Sequence, residues 1–201
     1  AYIKLSNFNE DTTEKMTALL RELLLTSPKG LILDLRNNPG GYLETSVEVA
    51  NFWVEKGALV VKEQLSDNSG KEHTAARDPL VQDLKTIVLV NEGSASASEI
   101  VAGALQDYVK ARVVGRKTFG KGSVQELINL RGGAAVKITI AKWFTPNGRS
   151  INDEGVKPDV EITDAMIERA EKMGYDSYLA EAFALLGQPL KIAKVKTQKS
   201  K

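Results

Sequence analysis

Thr86-Ile87-Val88-Leu89-Val90 reads as a fully buried strand, and three residues later the chain enters Gly93-Ser94-Ala95-Ser96-Ala97-Ser98-Glu99. Beyond that small-residue turn, Ile100, Val101, Ala104, Leu105 and Tyr108 fall on one face of a helix. The same order of events occurs upstream. Leu31-Ile32-Leu33-Asp34-Leu35 is a buried strand, and Asn37-Asn38-Pro39-Gly40-Gly41 turns the chain. Leu43, Val47, Ala50 and Val54 then mark the inner face of a helix that Gly57 ends. Strands alternating with helices predict βαβ units and a mostly parallel sheet with right-handed crossovers. In open parallel sheets, sites form at the carboxyl ends of the strands, so the two turns are expected on one edge. Unpaired backbone N–H groups at such turns and helix starts suit an oxyanion hole.

The rest of the chain extends this pattern. Tyr2 to Leu5 alternates as a short strand. A helix capped by Asn9 or Asp11 follows, with Met16, Leu19, Leu20, Leu23 and Leu24 as its apolar stripe. Leu59 to Val61 is strand-like, residues 66 to 79 are expected to form a loop, and Arg112 to Val114 returns as a strand. Val124 to Leu130 and Ala135 to Trp143 flank Arg131-Gly132-Gly133 as a hairpin. Asp164 to Lys172 and Ser177 to Leu186 are predicted helices. The expected organisation is a core domain over residues 1–187 and a basic tail over 188–201 that carries Lys191, Lys194, Lys196, Lys199 and Lys201.

With 201 residues, 42% apolar and 26% charged, the chain fits one domain with a substantial core. A net charge of +1, with the positive charge dispersed outside the tail, does not suggest a nucleic-acid partner. The absence of cysteine removes disulfides, zinc-thiolate sites and thiol catalysis, and no cofactor or metal is expected. No apolar run is long enough to span a membrane. The chain opens directly on a strand, which suggests a mature or excised fragment.

Residues able to do chemistry are few. The single histidine, His73, lies in the polar stretch Ser66-Asp67-Asn68-Ser69-Gly70-Lys71-Glu72-His73, expected to be an exposed loop, and a Ser-His-Asp triad needs a histidine held by packing. That leaves a serine on the small-residue turn and the lysine of Phe119-Gly120-Lys121-Gly122 as a candidate nucleophile and base. Phe119 and Val124 are expected to give the lysine apolar neighbours that favour its neutral form. No serine is followed by lysine three residues later, and no Gly-x-Ser-x-Gly elbow accompanies a usable histidine, so penicillin-recognising and esterase patterns are disfavoured.

Several blocks together resemble the carboxyl-terminal processing, or tail-specific, proteases. They are Leu33-Asp34-Leu35-Arg36-Asn37-Asn38-Pro39-Gly40-Gly41, the Gly93–Glu99 turn, Gly103-Ala104-Leu105-Gln106-Asp107 and Thr118-Phe119-Gly120-Lys121-Gly122-Ser123-Val124-Gln125. Thr145-Pro146-Asn147-Gly148 and Gly155-Val156-Lys157-Pro158-Asp159-Val160 follow in order, and the resemblance covers residues 1 to 163. It implies an α/β fold, the Clp protease/crotonase-like spiral of βαβ units with a mostly parallel central sheet, plus a β-hairpin and C-terminal helices. It implies Ser96 as nucleophile, Lys121 as general base, Gln125 as the group orienting that base, and the N–H groups of Gly41 and Ala97 as oxyanion donors. Ser94 and Ser98 are read as hydroxyls that close the turn or cap the helix. Glu99 is read as first-turn helix charge, and Asp107 as a structural or orienting group.

The implied activity is that of a serine endopeptidase cutting protein or peptide substrates near unstructured C-termini through an acyl-enzyme. The implied location is extracytoplasmic: periplasm, cell envelope or thylakoid lumen. Self-association is compatible with the resemblance. Family members usually carry a PDZ domain, and nothing in this chain resembles one. The alternative is a non-catalytic ligand- or peptide-binding module on the same scaffold, which would need none of Ser96, Lys121, Gln125 or Gly41.

Overall fold

A computed structural model describes residues 1–129 and 134–188. Two sheets organise these residues. The first is parallel throughout and contains β1 (Tyr2–Lys4), β2 (Leu31–Asp34), β5 (Thr86–Val90), β6 (Ala111–Gly115) and β9 (Val160–Glu161), side by side in that order. The second is antiparallel, in the order β4 (Gly70–Thr74), β3 (Leu59–Leu65), β8 (Ala135–Phe144) and β7 (Ser123–Asn129). The α/β fold with a mostly parallel central sheet is the one expected, and the predicted hairpin is β7–β8. Its turn, at Arg131-Gly132-Gly133, lies outside the described residues.

The central strands are buried on both faces, and side chains on them alternate between two cores with a period of two. Leu31, Leu33, Val88, Val90 and Val113 enter one core with the inner faces of α1 (Thr12–Leu25), α2 (Leu43–Ala50) and α3 (Ala97–Asp107). Ile32, Ile87, Leu89 and Val114 enter the other, which α4 (Asp164–Met173) and α5 (Ser177–Leu185) cover through Ile167, Leu179 and Ala182. Each of these last helices has a side-chain cap. Thr163 accepts from the Met166 N–H, and Asp176 from those of Tyr178 and Leu179.

Three local expectations change. Residues 66–79 are not all loop, because Gly70–Thr74 pairs with β3 and places His73 on a strand, 3.4 Å from the Glu63 carboxylate. That strand is polar along its length and largely exposed, so it carries no hydrophobic period to read. In α2 the fully buried positions are Ser46, Val49 and Ala50, while Leu43 and Val47 are only partly covered. Val54 lies beyond the helix end and is buried there. In α1, Leu19 is exposed and Met16 and Leu20 carry the burial. The basic segment from 189 onward lies outside the described residues.

One charged cluster ties the sheet to α5. Asp34 points to the α5 side of β2 and is fully buried. It accepts from Arg36 Nε at 2.9 Å, from another Arg36 guanidinium nitrogen at 2.6 Å and from the Tyr2 hydroxyl at 2.8 Å. Arg36 also donates to the capping residue Asp176 at 2.7 Å and lies over the Tyr178 ring. Burial raises the Asp34 carboxyl, but the Arg36 guanidinium outweighs it and holds the group below its usual value. Burial and the Asp34 carboxylate push the Tyr2 phenol up to about 12. Arg36→Ala leaves Asp34 buried without its cation, a loss of about 3–5 kcal/mol. The stability that Asp34 adds is present above its unfolded pKa and disappears as pH falls through the lowered folded value. Denaturant unfolding should therefore show a large Arg36→Ala deficit at neutral pH that shrinks in acid. A deficit independent of pH would contradict this account.

Candidate active site

The strand order sets the layout. β5 lies between β2 and β6, so the turn after β5, which carries Ser96, sits between the glycine turn after β2 and the segment leaving β6. Buried polar groups join the three. Asn38 is fully buried, and both its side chain and its backbone are hydrogen-bonded. Its amide nitrogen donates to the Leu5 carbonyl at 2.8 Å, and its amide oxygen accepts from the Gly40 N–H at 2.9 Å. Its backbone carbonyl takes the Ala95 N–H and the Ser98 hydroxyl, each at 3.0 Å. Ser94 donates its hydroxyl to the Leu35 carbonyl at 2.8 Å and accepts from the Asn91 N–H. The hydroxyls of Ser94 and Ser98 are thus spent on holding the two turns together.

Gly40 lies directly against the serine turn. A Cβ built on it would fall 2.7 Å from Ser96 Cβ and 3.1 Å from the Ala97 nitrogen. Gly41 is held against Phe8, where a Cβ would meet the Phe8 carbonyl oxygen at 2.1 Å. Both have positive φ, 107° and 150°, and no other residue could follow this path without moving the turn. The Gly40 N–H is already committed to Asn38. Among the hydrogen bonds of the described residues, the N–H groups of Gly41 and Ala97 have no acceptor.

Ser96 is the N-cap of α3, with φ 55° and ψ −116°. This is the backbone of the first central residue of a type II′ turn, a position that glycine normally fills. Holding a serine there costs about 1–3 kcal/mol, a type of strain that clusters at functional sites. Its N–H points to Glu99, whose side chain is the centre of the arrangement. One Glu99 carboxylate oxygen accepts from the Ser96 N–H at 2.7 Å and from the Lys121 N–H at 3.0 Å. The other accepts from the Thr118 hydroxyl and the Gly120 N–H, both at 2.6 Å. The backbones of Ser96 and Lys121 are therefore no more than two hydrogen-bond lengths apart through a single atom. Burial pushes the Glu99 carboxyl up, and the four donors act against it. Thr118 passes the connection on by accepting from the Val156 N–H at 2.7 Å.

Sequence reasoning placed Glu99 only as first-turn helix charge. The Ser-x-x-Glu spacing of 96 to 99 is that of a capping box, and it was the available signal for the bond to the Ser96 N–H. Lys121 and Phe119 also depart from expectation, since both side chains are exposed. Thr118 turns inward to reach Glu99, and its neighbour Phe119 turns outward. Val124 is partly buried and packs against the core. The backbone of Gln125 lies in β7, opposite Thr139 across a bulge, and its side chain is outside the described residues. Asp107, at the end of α3, accepts from the Asn147 N–H at 2.8 Å and pairs with Arg149, so it braces the Pro146-Asn147-Gly148 turn.

A serine on a strained strand-to-helix turn, backed by free N–H groups at the carboxyl edge of a parallel sheet, is the arrangement by which α/β serine hydrolases are recognised. The chain belongs to Peptidase family S41, whose family profile matches residues 1–162. It is 40% identical over 170 residues to a carboxyl-terminal-processing protease of Synechocystis sp., a match covering 85% of this chain and 39% of that one. It is 43% identical over 162 residues to a probable CtpA-like serine protease of Staphylococcus aureus, with 80% and 32% covered. Among solved structures, the photosystem II D1 C-terminal processing protease superposes with a TM-score of 0.77 at 35% identity, over 93% of this chain and 46% of that chain. The tricorn protease, 20% identical with a TM-score of 0.57, shares the fold. The chain spans less than half the length of these relatives.

Two stability measurements test the geometry without any assay of activity. Glutamine at 99 is isosteric but presents an NH₂ where the surrounding groups are donors, leaving buried N–H groups without an acceptor at about 1–3 kcal/mol each. Glu99→Gln should therefore lower the unfolding free energy by at least about 2 kcal/mol, and an unchanged midpoint would exclude the bridge. Ser96→Gly removes the backbone strain, whereas Ser96→Ala keeps it. The glycine variant should unfold at or above the wild-type midpoint and the alanine variant should not exceed wild type. A glycine variant less stable than the alanine variant would contradict the strain assignment.

Proposed function

We propose that this chain is the catalytic core of a serine endopeptidase that cleaves protein substrates near their C-termini with a Ser96–Lys121 dyad. The observation that carries the reading is the shared Glu99 oxygen, which fixes the Ser96 and Lys121 backbones to one atom. Ser96 Oγ attacks the peptide carbonyl carbon while the Lys121 amine takes its proton. The N–H groups of Gly41 and Ala97 receive the oxyanion that forms. Collapse expels the amine of the C-terminal product, which takes the proton back from Lys121. Water then opens the acyl-serine ester with the lysine again as base. Gln125, on the strand that follows, is assigned to orient the amine. Membership of Peptidase family S41 and the names of the relatives support peptidase chemistry and protein substrates. Substrates with unstructured C-termini and an extracytoplasmic location, as the family resemblance implies, complete the proposal. No helix among the described residues is long and apolar enough to cross a membrane.

A lysine is a base only as the neutral amine, and a free lysine titrates near 10.4. Because the Lys121 side chain is exposed, exclusion of water from it is assigned to the peptide that covers the site. The test is digestion of one unfolded protein with the new termini mapped. Wild type should cut near C-terminal ends, faster as pH rises. Ser96→Ala should lose turnover while Ser94→Ala and Ser98→Ala keep a measurable part of it. Lys121→Arg should be as inactive as Lys121→Ala, because arginine keeps its proton. An active Lys121→Arg protein would rule out the dyad.

A further inference from the structure

The three elements that meet at Ser96 spend their polar groups inward, yet two of them carry an aromatic side chain outward. Phe119 is 67% exposed and Tyr42 53% exposed, which makes them the most exposed aromatic residues of those described. The next, Tyr2, is held by its hydroxyl on Asp34, and no hydrogen bond engages the Tyr42 hydroxyl among the described residues. Their positions are fixed by backbone. Tyr42 follows Gly41, and its N–H donates to the Phe8 carbonyl at 2.9 Å. Phe119 lies two residues before Lys121, and its N–H donates to the Ser94 carbonyl at 3.0 Å. Gly120 and Lys121 are held by Glu99 immediately beyond it. Because β5 lies between β2 and β6, the turn bearing Tyr42 and the segment bearing Phe119 stand on opposite sides of the Ser96 turn.

Isolated exposed apolar residues are common on protein surfaces and need no explanation. Here the two rings are carried by the same short segments that hold the proposed oxyanion donor and base, and those segments are anchored by buried hydrogen bonds. The anchors leave the rings little freedom to fold back into the core. Aromatic side chains placed this way offer large apolar area at low conformational cost, a common means of gripping a partner.

We infer that Phe119 and Tyr42 are specificity-determining residues that pack against apolar side chains of the substrate on either side of the scissile bond. The inference rests on the peptidase reading above and adds to it the class of segment preferred: extended peptide with an apolar residue next to the cut, over one with glycine or serine there. The glycine-turn side is assigned to Tyr42 and the lysine side to Phe119.

The test uses the full chain and two pairs of labelled peptides, identical except for leucine or serine at one residue flanking the bond, on one side in each pair. Turnover is measured on wild type, Phe119→Ala, Phe119→Leu and Tyr42→Ala, and binding by fluorescence polarisation on the same set carrying Ser96→Ala. Wild type should prefer leucine in both readouts. Phe119→Ala should shrink that preference about tenfold, as expected when one apolar side chain loses its partner surface. The change should appear in KM and binding more than in kcat, and Phe119→Leu should restore most of it. Tyr42→Ala should do the same for the residue on the other side of the bond. Both rings are exposed, so unfolding midpoints should not move. If Ser96→Ala abolishes cleavage but the leucine preference survives both alanine substitutions, the aromatic assignment falls and the peptidase stands. If no variant cleaves, yet leucine peptides bind better through Phe119 and Tyr42, the aromatic assignment stands and the peptidase reading falls.

Discussion

The buried carboxylate of Glu99 is the constraint to which the rest of the site is fitted. A charge removed from water costs several kcal/mol unless donors replace its hydration. Here the donors are the N–H groups of Ser96, Gly120 and Lys121 and the hydroxyl of Thr118. They come from the start of α3 and from the segment leaving β6, elements that only the sheet brings together. Displacing either segment would strand donors from both, so the two turns keep their relative position as a unit. The Phe119 N–H on the Ser94 carbonyl reinforces the same junction, and Thr118 extends it to Val156.

Asn38 plays the matching part on the other side of the serine turn. Its backbone carbonyl holds Ala95 and Ser98, and its side chain holds Leu5 and Gly40. Gly40 leaves no room for a side chain against Ser96 Cβ, and these bonds hold the turn in which Ser96 takes its strained dihedrals. The strain is local, while the bonds that enforce it are buried and distributed, so the fold bears the cost elsewhere. Among the hydrogen bonds of the described residues, the N–H groups of Gly41 and Ala97, next to the enforced residues, have no acceptor. Preorganised donors of this kind need no rearrangement when negative charge develops beside them.

Much of this was legible in sequence because the central strands announce themselves. Leu31–Asp34 and Thr86–Val90 are buried on both faces, and such strands read as continuous apolar runs. The turns after them are rich in glycine and small residues, which located the site edge. What was not legible depends on tertiary contacts. β4 was missed because Lys71, Glu72 and His73 carry no apolar alternation. The inner face of α2 was misjudged because Ser46 is fully buried and bonds the Leu43 carbonyl, a burial that hydrophobicity cannot signal. Glu99 looked like an ordinary first-turn acid because three of its four donors lie about twenty residues downstream.

The expected apolar cover of the Lys121 side chain is not what the structure shows, for a reason that follows from Glu99 itself. Phe119 and Val124 are apolar neighbours in sequence, and sequence alone assigned them to cover the amine. The carboxylate claims Thr118, Gly120 and the Lys121 N–H for the interior, and the side chains of Phe119 and Lys121 are left outside. Position and environment are therefore set by different parts of the molecule. Hydrogen bonding fixes where the Lys121 side chain begins, while the side chain itself is exposed. On the proposed mechanism, a peptide lying against the site would close off water on the side where the protein does not, and an apolar residue on Phe119 would do so near Lys121. On that proposal, recognition of the substrate and activation of the base would draw on the same contact. That proposed coupling follows from a polar network that holds the Ser96 and Lys121 backbones to one carboxylate and a rim that it leaves uncovered.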